Sequence, residues 1–174
     1  MESPATVAAA VLAHVRDALE AAGSAPITTE LVAAGQIAFD DCCGTLVVMP
    51  ELIQESGYPF PSPRDPRLPC DVPMIQVDLL VLLVRCVPVL NDNGEPPTAE
   101  EQEAAFQAIL GDAAIVWNTL AGDPSVLGTD AYGDPLWERA NATQGWQAPS
   151  GGCIGIETRI SFGIPQSLWC IGGP

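Results

Sequence analysis

Not one lysine occurs in this chain of 174 residues, whose basic side chains are six arginines and a single histidine. Against them stand 22 acidic residues, giving a formal net charge of −16 at neutral pH. Binding to a nucleic-acid backbone rests on clustered Lys and Arg that displace counterions, and the sequence contains no such cluster. A surface of this sign repels phosphate over roughly 8–10 Å in physiological salt, which disfavours tight nucleic-acid binding and adsorption to an anionic membrane alike. Long apolar runs are also missing: the stretch Leu79–Val84 continues past Arg85 only to Pro88, too short to cross a bilayer. No basic segment opens Met1–Gly23, and Arg16 and Asp17 interrupt its apolar pattern, so a secretory signal is not expected and the chain should be made and folded in a cytoplasm.

The cysteines lack metal-site spacing. They stand at 42, 43, 70, 86, 153 and 170 with no Cys-x-x-Cys, and His14 is the lone imidazole, so no zinc site is read from them. A chain this large and apolar needs no disulfide framework, and buried thiols are the expectation. What the sequence does have is enough hydrophobic content to exclude disorder and to close one core, so residues 1–174 are expected to form a single domain.

Hydrophobic periodicity predicts an α+β fold in which two helices pack a mostly antiparallel or mixed sheet. Ser3 can cap a first helix with Pro4 at its opening position, Val7, Val11, Val15 and Leu19 recur at four-residue spacing, and Gly23 ends it. Ile37–Phe39 and Leu46–Met49 read as two strands, or as one interrupted by a turn over 40–44. Residues 57–73 hold prolines at 59, 61, 63, 66, 69 and 73, which exclude a helix or a central strand and leave a long loop, suited to an arm that touches a neighbour. Met74–Val87 is the strongest strand: Gln76 and Asp78 alternate with Ile75, Val77 and Leu79, and from Leu80 onward both faces are apolar, as for a strand covered on two sides. Arg85, the exception on it, reads as a snorkelling or salt-bridged residue.

Thr98-x-x-Glu101 is a capping box opening a second helix, with Glu100, Glu101 and Glu103 near its positive end. Its face of Phe106, Ile109, Leu110, Ala113, Val116 or Trp117, and Leu120 predicts packing on the sheet. Residues 122–135 read as irregular, Trp146–Pro149 as a lead into a Gly151-Gly152-Cys153 turn, and Ile154–Ile164 as a half-buried alternating strand. The last residues, 165–174, form an apolar tail with Leu168, Trp169 and Ile171, which predicts docking on this subunit or the next.

No catalytic constellation stands out. One helical histidine is a thin supply of general base for Ser or Cys. No phosphate loop follows a strand. The carboxylate- and amide-rich turn Asn91–Pro97 lacks the ligand spacing of a calcium loop. Asp40 and Asp41 are adjacent acids in a turn, a common and nonspecific arrangement. No catalytic, cofactor or metal residue is assigned.

The order of elements, an amphipathic helix, short strands, a long apolar strand, a capped acidic-start helix and a closing alternating strand, resembles tail terminator proteins of long-tailed bacteriophages over nearly the whole chain. Three local stretches, Cys70-Asp-Val-Pro, Cys86–Pro88 leading to Gly94-Glu-Pro-Pro-Thr-Ala-Glu-Glu, and Gly151-Gly-Cys-Ile-Gly-Ile-Glu, resemble neck proteins of actinobacterial phages. The resemblance implies a virion protein of the tail neck: a homo-oligomeric ring, usually a hexamer, that stops tail-tube growth and meets the tail-tube protein on one side and the head-side connector on the other. Another neck component, such as a stopper or head-completion protein, is the near alternative; a small cytoplasmic enzyme or a binding module are the distant ones. Ring contacts join two different patches. The second face of the long strand (Leu80, Leu82, Val84) and the tail (Leu168, Trp169, Ile171) are the candidate subunit interfaces, and Glu100, Glu101 and Glu103 the candidate acidic face of a channel through which DNA passes without sticking.

Overall fold

Val7, Ala8, Val11, Val15 and Leu19 do form one buried stripe of a helix, α1 (Pro4–Ala21), in a computed structural model that describes residues 4–35, 43–57, 59–63, 74–122, 138–150 and 152–165. Four further elements were expected from the sequence, and six follow: β1 (Thr29–Val32), β2 (Thr45–Ser56), β3 (Met74–Cys86), α2 (Ala99–Ala121), β4 (Glu138–Ser150) and β5 (Cys153–Pro165). The fold is α+β. The strands make one sheet in the order β1-β2-β3-β5-β4. β1 runs parallel to β2, and every other pairing is antiparallel.

Both helices lie on one face of the sheet. α1 packs over β1 and β2, α2 over β5 and β4, and the helices touch each other. The main core forms beneath them from Leu46, Val48, Val77, Leu79, Val81, Leu83, Ile156, Ile160, Phe162 and Ile164. These are alternate residues of their strands, as a pleat with one covered face requires. A smaller cluster of Val47, Leu82 and Val84, with Leu31, Ala33, Met49 and Cys153 around it, occupies the opposite face.

The strands differ from expectation in three places. Ile37–Phe39 lie outside the described residues, and the strand pairing with β2 is Thr29–Val32. β2 does not stop at Met49 but runs through Pro50 to Ser56, with a register shift between Pro50 and Leu52. Proline is tolerated there because β1 pairs only with residues 45–48, so the edge of β2 beyond it has no ladder to lose. β4 was read as irregular chain at its end: Glu-Arg-Ala-Asn-Ala-Thr-Gln-Gly-Trp has no apolar alternation, and its pairing comes from β5, to which it is joined through Gly152 at φ +83.

The proline-rich loop begins by folding back on its own sheet. Gly57 donates to the Ser62 carbonyl at 2.6 Å, and the Phe60 ring lies over Gly163, where a Cβ would stand only 2.8 Å from it. The rest of the loop, 64–73, and the 166–174 tail lie outside the described residues.

The expectation of buried thiols fails at two positions. Cys43 and Cys86 are exposed, and they are joined by a disulfide with their Cα atoms 5.0 Å apart. Cys153, the register partner of Cys86 on β5, is also disulfide-bonded. The residue preceding β2, the end of β3 and the start of β5 converge here, a proximity made by strand pairing that no sequence spacing reveals.

Candidate functional site

The α2 helix carries the most surface chemistry, and its start is built as its sequence dictates. Thr98 Oγ1 accepts from the Glu101 backbone N–H at 3.2 Å while the Glu101 carboxylate accepts from the Thr98 N–H at 2.8 Å. The reciprocal pair satisfies two of the donors that a helix start leaves open. Those bonds, the backbone one first, hold the Glu101 carboxyl below the ordinary glutamate range. Of the three acidic candidates, Glu101 is therefore committed to the cap, whereas Glu100 and Glu103 are exposed beside it. The preceding turn spends its own polar groups similarly: Asn91 Oδ1 accepts from the backbone N–H groups of Asn93 and Glu95, each at 3.0 Å.

Further along, α2 departs from expectation. Ile109, Ala113, Val116 and Leu120 pack inward, but Phe106, Leu110 and Trp117 remain 51%, 37% and 36% exposed. Their spacing of four and seven puts them on one side of the helix. The apolar arc of α2 is wider than the sheet beneath it can cover. By length and composition this helix could also span a membrane, but its inner stripe belongs to the core of the sheet.

The neighbouring edge strand extends the stripe. Gln144 on β4 donates to the Ala113 carbonyl of α2 at 2.9 Å, and Trp146, two residues on and hence on the same face, is 45% exposed. Arg139 reaches the other end of the helix, donating to the carbonyls of Leu120 at 3.1 Å and Gly122 at 2.9 Å. A cation there meets the negative end of the helix dipole and satisfies carbonyls left over by the last turn. At the far edge of the sheet, Val32, Leu52 and Ile53 are the large apolar side chains left exposed.

No family model matches this sequence, and no curated protein matches it. The site therefore rests on its own geometry.

The other candidates are placed as follows. Leu80, Leu82 and Val84 do share the sheet face away from the helices, but they are only 6%, 4% and 5% exposed within the single chain, leaving little of them for a neighbour. Leu168, Trp169 and Ile171 lie outside the described residues. The exposed groups that sequence reasoning missed are Phe106, Leu110 and Trp117, which it buried as part of one helical face, and Trp146, which it placed in a turn. The signal for the first three was present: seven apolar positions spread over more than one stripe of a helix exceed what one sheet can cover.

On the sheet's second face, Arg159 donates to Glu51 at 3.1 Å and to Glu157 at 2.8 Å. The Glu157 bond, more than any other contact, raises the Arg159 pKa. Among the described residues, no group of three or more His, Cys, Asp or Glu is arranged to hold a metal ion.

Proposed function

We propose that this chain is a structural virion subunit, a tail terminator that ends tail-tube polymerisation and joins the tail to the head connector as a homo-oligomeric ring. The observation that carries the reading is a pair of dissimilar exposed apolar patches at opposite edges of the sheet. One is Phe106, Leu110, Trp117 and Trp146 on α2 and β4; the other is Val32, Leu52 and Ile53 on β1 and β2. A head-to-tail ring needs two different surfaces that meet each other around a closed circle, and a two-fold dimer needs only one. The order of elements, helix, strands, capped helix, strands, supports the resemblance to tail terminators at the level of layout. The acidic surface supports it electrostatically: a ring around a DNA path gains from repelling phosphate, because DNA can then slide without forming contact ions.

The reading is tested in the phage that encodes the chain. Removing the gene should give irregular, overlong tails seen by electron microscopy. Tails of normal length that fail to join heads would instead assign the chain to the head side of the neck, as a stopper or head-completion protein. Particles of normal length and attachment would rule out both. In vitro, light scattering should show a ring on addition of tail tubes, and Trp117→Glu should prevent it while leaving the monomer folded.

A further inference from the structure

A cavity of about 610 Å³ lies between the α1–β1 connection and α2, walled by small groups including Ala22, Pro26, Ala105, Ala108 and Gly111, with Arg85 and Asp112 also lining it. Arg85 is 5% exposed; its Nε donates to Asp112 Oδ2 at 2.7 Å and its Nη1 to the Pro26 carbonyl at 3.3 Å. Its Nη2 is buried with no hydrogen bond at all. A buried donor left unmet costs about 1–3 kcal/mol, so such an atom in a cavity marks the place of an absent partner. Asp112 spends Oδ2 on Nε, and its Oδ1 makes no hydrogen bond among the described residues. The cavity thus offers one donor and one acceptor from the same ion pair.

A second observation comes from α2. Gly111 sits in the interior of the helix, where glycine costs about 0.5–1 kcal/mol relative to alanine. A Cβ there would meet nothing within 4 Å, so no group of the chain itself requires the glycine. What it preserves is open space on the cavity wall.

We propose that this cavity binds an uncharged amide on a slender aliphatic stem, whose carbonyl accepts from Arg85 Nη2 and whose N–H donates to Asp112 Oδ1. The ion pair is already neutral. A carboxylate would bring a second anion beside Asp112 in a chain of net charge −16, and an ammonium would meet the guanidinium, so burying either charge is opposed. An amide matches both atoms at no charge. The group occurs as a side-chain carboxamide and as a main-chain peptide unit, and the site recognises what they share. This inference is independent of the ring.

Titration of the ¹⁵N-labelled full chain tests it by NMR, with isobutyramide, N-acetylalanine N-methylamide and isobutyrate as probes. Saturable shifts at Gly111, Asp112 and Arg85 Nε are expected with at least one amide, and isobutyrate should bind at least about tenfold more weakly, a difference of about 1.4 kcal/mol. The amide that saturates identifies the source, side chain for the first and main chain for the second. The double variant Arg85→Met/Asp112→Leu should abolish the shifts, since exchanging a buried ion pair for packed apolar groups is commonly near neutral for folding. If that variant does not fold, Gly111→Leu, which fills the cavity on a helix-favouring residue, should abolish them instead. Isobutyrate binding as tightly as the amides, binding that survives in a folded variant, or no saturable shift from either amide, which would leave water as the sole occupant, each overturns the proposal.

Discussion

Along β3, Val77, Leu79, Val81 and Leu83 join the core beneath the helices, while Gln76, Asp78, Leu80, Leu82 and Val84 belong to the other face. The helix-side residues are fully closed by apolar partners from α1, α2, β2 and β5. The opposite face is divided: an apolar cluster sits around Leu82, and polar contacts surround it, with Gln76 donating to Asp78 at 2.8 Å and Arg159 spanning Glu51 and Glu157. One strand therefore serves two environments at 3.3 Å intervals. Stability should be concentrated on the helix side, where truncation leaves a void that the surrounding packing cannot refill, and diluted on the other, where water and charge take part.

That contrast can be broken by mutation. Phe162→Ala removes a fully buried side chain of the helix-side core and should cost about 3–5 kcal/mol in urea denaturation. Leu82→Ala, on the other face, should cost less, about 2–3 kcal/mol. Equal or reversed losses would show that the second face carries the fold. Gly163→Ala should cost about 1–3 kcal/mol, because its Cβ would meet Phe60 at 2.8 Å and Met74 at 2.9 Å, and adding Phe60→Ala should recover part of the loss in a double-mutant cycle. Thr98→Ala removes the side chain that caps α2 and should cost about 1 kcal/mol. Arg159→Ala should change stability by no more than about 1 kcal/mol, and by less in high salt.

The smallest effect is a pH dependence. The Glu101 carboxyl is held below its ordinary value in the folded chain, so the unfolded chain binds its proton first as pH falls. The stabilisation is complete above the ordinary glutamate pKa and is lost as pH drops through the depressed folded value. Comparing the pH dependence of unfolding for the parent chain and Glu101→Gln over the acid range should isolate it; identical slopes would remove Glu101 from the cap.

The parts legible in the sequence were those specified by local rules. The α1 stripe follows from four-residue spacing, and the capping box of α2 from Thr98 and Glu101 alone. β3 and β5 declared themselves by alternation. β4 was hidden because an edge strand that pairs on one side only needs no apolar code, and its residues are mainly small and polar. The Cys43–Cys86 bond and the Arg85–Asp112 pair join positions far apart in the chain, so they appear only once β2, β3 and α2 are assembled. The exposed stripe of α2 was misjudged for a different reason: periodicity reports which residues are apolar, but the width of the partner surface decides how many of them are covered.

The two outer strands also bear on what kind of polymer this molecule can make. The β4 ladder is interrupted between Arg139 and Ala142 and again between Gln147 and Ser150, and Pro149 has no N–H to offer. β1 is only four residues long, and the stretch of β2 left bare beyond it carries Glu51 and Glu55. Neither rim can template hydrogen bonding onto another molecule over any distance. Runaway fibre growth is blocked at both ends, and any assembly of these chains must be held by side-chain patches that admit a finite number of copies.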